Sequence, residues 1–102
     1  MKNKQVCVIG VGFVGEHLVE IFSKKYKVIG YKVIGYDVSE KRLVYLREKF
    51  KNNKNVILQS SVNNLFQSDL FCISVPTLIR EDGTIDDHYI LSAVKLIEDT
   101  AK

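Results

Sequence analysis

Short apolar runs alternate with longer amphipathic ones along this chain. Gln5-Val6-Cys7-Val8-Ile9 is brief, β-branched and ended by glycine, which predicts a buried strand. Residues 13–25 predict a helix whose apolar stripe is Val14, Leu18, Ile21 and Phe22. Val33-Ile34-Gly35-Tyr36 predicts a second strand, closed by Asp37. Ser39 is the expected N-cap of a helix over 40–50, with Leu43, Leu46 and Phe50 on one face and Asn52-Asn53 as its break. A third strand is expected over 56–58. Ser61 is expected to cap a helical turn through Leu65 and Phe66. The run over 70–75 predicts a fourth strand, apolar almost throughout, as in a strand covered on both faces. Pro76 ends it, and Asp82-Gly83 marks a turn. Thr84 with Asp87 resembles a capping box for a last helix, whose inner face would be Ile90, Val94, Ile97 and Ala101.

This alternation predicts an α/β class: a parallel sheet with helices on both faces. Right-handed crossovers give the expected strand order 3-2-1-4. No fifth or sixth strand follows, so the sheet is expected to be incomplete at the C-terminus. Its open edge beside strand four would favour a homodimer.

The chain has 102 residues, which suits one domain over 1–102. Hydrophobic residues make up 46% and charged residues 26%, a balance that excludes intrinsic disorder. No apolar run is long enough to span a bilayer, and the N-terminal residues lack a signal-peptide core, so a cytoplasmic, membrane-free protein is expected. The net charge is +3, but Lys24, Lys25, Lys27 and Lys49, Lys51, Lys54 read as solvated helix ends. No stripe of stacking aromatics accompanies them, which argues against nucleic acid. Cys7 and Cys72 sit in apolar runs, fit no metal spacing, and read as buried reduced thiols. His17 and His88 lack a partnered nucleophile and read as ordinary helix residues.

Gly10-Val11-Gly12-Phe13-Val14-Gly15 is a complete G-x-G-x-x-G between a predicted strand and a predicted helix. With an acid ending the next strand, it is a Rossmann-like dinucleotide signature. Gly10 permits the tight turn, Gly12 lets a pyrophosphate approach the backbone, and Gly15 lets the helix pack closely on the strand. The N–H groups and dipole at the helix start favour phosphate. Asp37 would accept hydrogen bonds from the adenosine ribose hydroxyls and repel a 2′-phosphate, which selects NAD. Arg42 would lie against the adenine or reach the ribose.

Tyr26-Lys27-Val28-Ile29-Gly30 is followed at once by an identical copy, Tyr31-Lys32-Val33-Ile34-Gly35. One copy is an insertion, natural or engineered, and lengthens the Gly10-to-Asp37 spacing by five residues. Three registers compete. The second copy in strand two keeps Asp37 at the strand tip. The first copy there would put Lys32 in its place. A longer continuous strand would put Val28 and Val33 on opposite faces. Keeping Asp37 beside the following helix cap favours the second copy. Surplus strand residues could also pair between chains and support a strand-exchanged dimer.

These segments, together with Ser39-Glu40-Lys41-Arg42, Ser74-Val75-Pro76-Thr77 and Asp82-Gly83-Thr84-Ile85-Asp86, resemble the N-terminal domain of UDP-glucose and GDP-mannose dehydrogenases. The resemblance covers nearly the whole chain. It implies that NAD is bound by Gly10, Val11, Gly12, Phe13, Val14, Gly15, Asp37 and Arg42. It places Val75, Pro76 and Thr77 near the nicotinamide, with Leu78 standing where the family usually has a second proline. It also implies an oxidoreductase of nucleotide-sugar metabolism. The full enzymes oxidise a sugar C6 alcohol to a carboxylate in two NAD-dependent steps through a cysteine in a later domain. No residue here matches that cysteine, so the 102 residues alone are expected to be inactive and to meet a UDP-sugar only with further domains. The alternatives are a stand-alone or engineered structural module without catalysis and a dimerising NAD(H) sensor.

Overall fold

Every residue of the first apolar run is buried, and this strand forms the centre of the molecule. The computed structural model describes residues 5–26, 32–63, 65–75 and 78–100. β1 (Gln5–Ile9) is followed by α1 (Phe13–Tyr26), β2 (Lys32–Tyr36), α2 (Glu40–Lys49) and β3 (Val56–Gln59). A 3-10 turn (Leu65–Gln67), β4 (Leu70–Ile73), the short strands β5 (Leu78–Ile79) and β6 (Ile85–Asp86), and α3 (His88–Thr100) complete the chain. The main sheet has the order β3-β2-β1-β4, as expected from the alternation of strands and helices. Its pairs are parallel, with Cys7 opposite both Ile34 and Phe71.

Side chains alternate across a strand, so the sheet has two faces. On one, Val8, Val33 and Leu58 pack with Val11 and Val19 of the turn and α1, and with Leu43 and Leu46 of α2. On the other, Cys7, Ile9 and Ile34 pack with Leu65 of the 3-10 turn and Ala93 of α3. Gln5 is the one polar residue of β1. Its side chain donates to Ser68 Oγ (2.8 Å) and its carbonyl accepts from the Asp69 N–H (2.8 Å), fastening the start of β1 to β4.

β2 settles the register. It is built from Lys32 to Tyr36, so the second copy of the repeat forms the strand, Asp37 follows its tip, and Lys32 lies at the opposite end. Residues 27–31 of the repeat lie outside the described residues. Ser39 caps α2 as expected, accepting from the Arg42 N–H at 3.2 Å.

Four expectations need correction. In α1, Val14 and Ile21 are exposed, while Gly15, Glu16, Val19 and Ser23 are buried. A Cβ on Gly15 would overlap the Gly10 carbonyl oxygen, and that close approach fixes which side of α1 faces the sheet. The turn after Ser61 is a 3-10 turn whose Leu65 N–H donates to the Val62 carbonyl at 3.3 Å; Asn64, which a Ser61 cap would meet, lies outside the described residues. β4 is shorter than expected and is not fully covered, because Leu70 and Ile73 are 39% and 38% exposed at the sheet edge.

Between β4 and α3 lies an unanticipated antiparallel hairpin, β5–β6. Thr84 serves that hairpin, bonding Asp82 through both its N–H (3.0 Å) and its hydroxyl (2.6 Å), and is not part of a helix cap. α3 starts instead where the Leu91 N–H reaches the Asp87 carbonyl (3.0 Å) and the His88 N–H reaches Asp86 Oδ1 (3.0 Å). Its inner face is Ala93, Leu96 and Ile97, with Val94 turned outward; Ala101 lies outside the described residues. Among the described residues, no helix is long and apolar enough to cross a membrane.

Candidate functional site

The strand tips converge on the glycine turn. The Gly10 N–H donates to the Tyr36 carbonyl (2.8 Å) and the Ser74 N–H to the Ile9 carbonyl (2.7 Å), so the ends of β1, β2 and β4 are held together. Gly10 has φ +88°, and a Cβ there would come within 2.6 Å of the Ser74 carbonyl oxygen. A side chain is thus excluded twice, by backbone conformation and by contact.

Val11 is gripped on three sides. Its N–H donates to Asp37 Oδ2 (2.9 Å), its carbonyl accepts from Arg42 Nε (2.9 Å), and its side chain is fully buried. The other Asp37 oxygen accepts from the Ser39 N–H (2.9 Å). Each carboxylate oxygen carries a second lone pair, so Asp37 can still accept from hydroxyls while it braces the turn.

Gly12 contrasts with both neighbours of its motif. A Cβ on it would meet no atom of the described residues within 4 Å. Packing therefore does not account for glycine here, but a ligand lying against the backbone would. The Gly12 carbonyl accepts from the Glu16 N–H (2.8 Å) as the first bond of α1. The N–H groups of that first turn have no intrahelical acceptor and carry the positive end of the helix dipole.

Above the turn is a cleft of about 590 Å³, within the usual range for a small-molecule site. Its floor includes Ile9, Gly10 and Gly12, its acidic side is Asp37, and α3 contributes Tyr89, Ser92, Ala93 and Leu96. Phe13, Val14, Val38 and Val75 give it apolar walls, and none of the described lining residues is a lysine or arginine. An anion would have to be held by backbone N–H groups and the helix dipole, while Asp37 suits hydroxyls.

Of the residues expected from sequence, the structure brings Gly10, Gly12, Phe13, Val14, Asp37 and Val75 to this cleft. Val11 and Gly15 lie beneath it as buried supports. Pro76 and Thr77 fall outside the described residues. Arg42 does not line the cleft; its guanidinium lies behind the turn, bonded to the Val11 carbonyl and to Glu16.

Sequence reading passed over Glu16 and the α3 wall. Glu16 is 9% exposed and bonds Arg42, Lys49 and Tyr45. Burial alone would raise its carboxyl, but the Lys49 ammonium and Arg42 guanidinium outweigh burial and hold it below the ordinary carboxylate range. The α3 wall carried one signal: Ser92-Ala93 is a pair of small residues that lets a helix approach the sheet.

The thiols and histidines stay out of the site. Burial pushes the Cys7 thiol up to about 12, and burial also raises Cys72; such thiols are poor nucleophiles. His17 and His88 are exposed, each edge-on to a neighbouring ring, Phe13 and Tyr89.

Comparison with known proteins agrees with this geometry. The model of the UDP-glucose/GDP-mannose dehydrogenase family, NAD binding domain, matches residues 4–102. UDP-N-acetyl-D-mannosamine dehydrogenase of Methanococcus maripaludis is 34% identical over 113 residues, spanning 92% of this chain and 25% of the relative. Protein CapL of Staphylococcus aureus is 28% identical over 105 residues, spanning 93% of this chain and 24% of the relative. A GDP-mannose dehydrogenase from Pseudomonas aeruginosa, solved as a ternary complex, superposes with a TM-score of 0.76 at 21% identity, covering 90% of this chain and 24% of that one. The last likeness shows the fold alone. The chain spans about a quarter of the length of the curated relatives it matches.

Proposed function

The chain belongs to the UDP-glucose/GDP-mannose dehydrogenase family, as its NAD binding domain, and on that premise we propose that the cleft above the glycine turn is the NAD site. The carrying observation is Gly12: no described residue would obstruct a side chain there, and it lies on the cleft floor beside the start of α1. The pyrophosphate would lie across Gly12 and the first N–H groups of α1. Asp37 would take the adenosine ribose hydroxyls, with the apolar surface of Val38 beside the base. Val75 would flank the nicotinamide.

In this reading the 102 residues are a single cofactor domain of a nucleotide-sugar 6-dehydrogenase. NAD supplies the hydride acceptor; the chain binds it and orients it. Recognition of a UDP-sugar and the chemistry at its C6 carbon belong to other parts of the whole protein. Two unpaired thiols, Cys7 buried and Cys72 half-buried, support a cytoplasmic location. The exposed Leu70 and Ile73 at the β4 edge support self-association through that edge.

Calorimetric titration of NAD and, separately, NADP into the chain tests the site. Saturable NAD binding with NADP at least about tenfold weaker is expected from a ribose carboxylate in a cleft that no lysine or arginine lines among the described residues. A folded chain that binds neither would refute the reading.

A further inference from the structure

A buried carboxylate holds the one cation that, among the described residues, grips the glycine turn. Arg42 lies in the first turn of α2, five residues after Asp37. Its Nε donates to the Val11 carbonyl, while Asp37 accepts from the N–H of the same residue. The guanidinium and the ribose acid thus hold opposite edges of a single residue. An arginine in such a neighbourhood is the group that accommodates a 2′-phosphate in NADP sites. Here that role is closed to it. The outer arm of the guanidinium bonds Glu16, and the group lies over the Tyr45 ring, 4.9 Å from its centre. Glu16 is kept ionised there by Lys49 as well as by Arg42.

Packing alone does not call for a carboxylate at this point of α1. An apolar residue would fill the space without the cost of desolvating a charge. We propose that Glu16 is a specificity-determining positioning residue: it tethers Arg42 behind the glycine turn, so Asp37 alone reads the 2′-position and the site takes NAD over NADP. The inference rests on the cofactor reading above and deepens it. Lys49 balances the second half of the Glu16 charge and leaves the carboxylate free to hold a fixed arginine.

The test is a double-mutant cycle read on cofactor choice. NAD and NADP affinities are measured by calorimetry for the unaltered chain, E16Q, R42A and E16Q/R42A, with circular dichroism to confirm folding. Release of Arg42 by E16Q is expected to raise the NADP-to-NAD affinity ratio by about twofold to fivefold, the usual scale of one partly exposed charge contact. The same change in the R42A background is expected to leave the ratio unmoved. A purely structural role would weaken both cofactors equally, and that result overturns the proposal. So does a rise in the ratio that persists without Arg42. Should E16Q not fold, E16D, which draws the carboxylate back by one methylene, is expected to give a smaller shift in the same direction; an unchanged ratio there also overturns it. Failure of the unaltered chain to bind NAD is a different result, and it removes the cofactor reading itself.

Discussion

The two faces of the sheet are covered differently. One lies under two helices, and its cluster draws on β1, β2, β3, α1 and α2. The other lies under α3 and the short turn at Leu65, and both its outer strands expose a side chain, Ile57 at 40% and Ile73 at 38%, whereas on the first face β4 exposes Leu70 (39%) but β3 buries Leu58. The cleft opens where this second face meets the glycine turn, walled by α3. The difference separates two tasks. Dense packing on one face fixes the turn, and looser coverage on the other leaves room for a ligand.

The largest test of that division is Gly15→Ala. The added methyl would overlap the Gly10 carbonyl and force α1 off the sheet, so a loss of about 3 kcal/mol or more is expected, read as a lowered denaturation midpoint. Next comes a matched pair. Leu46→Ala on the packed face should cost about 2–5 kcal/mol, whereas Ile73→Thr at the open edge should cost less than about 1 kcal/mol. Equal losses for the pair would mean that the two faces do not differ.

Glu16→Gln should come third, costing about 1–3 kcal/mol at neutral pH by leaving Lys49 and Arg42 short of a buried partner. Its sign with pH is fixed. The folded carboxyl is held below its unfolded value, so its stabilisation is complete above the unfolded value and disappears as pH falls through the folded one. Melting curves of the two proteins should therefore converge in acid; a gap that stays constant with pH would place the effect in packing. The smallest effect on stability is expected from Gly12→Ala, within about 0.5 kcal/mol, since the methyl meets none of the described residues. The same substitution should weaken NAD binding by about tenfold or more, because it occupies the line of pyrophosphate approach. Unchanged NAD affinity would put the cofactor elsewhere.

The strand order and the glycine turn were legible because both are written in short stretches: a β-branched run, three glycines, an acid at the next strand end. The buried face of α1 was misread because helical spacing fits more than one stripe. The close approach of Gly15 selects among them, and counting from it to Val19 and Ser23 would have found the right one. The Glu16, Arg42 and Lys49 group escaped notice because its members are 26 and 33 residues from Glu16 along the chain. No local pattern announces such pairs. The β5–β6 hairpin has strands of two residues, too short for any alternation to show. Arg42 was recognised as important, but its surroundings, not its spacing, decide which way it points.

The duplicated string has a consequence for how the molecule reaches this state. Residues 27–31 spell Lys-Val-Ile-Gly-Tyr, the same five letters as β2. While the chain is still collapsing, either string offers the slot beside β1 the same side chains in the same sequence, so strand pairing cannot tell them apart. The residue that follows does differ: Asp37 after one, Lys32 after the other. Only the carboxylate accepts the Val11 N–H. The bond from Val11 to Asp37 therefore stabilises the register that leaves an acid at the mouth of the cleft over one that would leave Lys32 there.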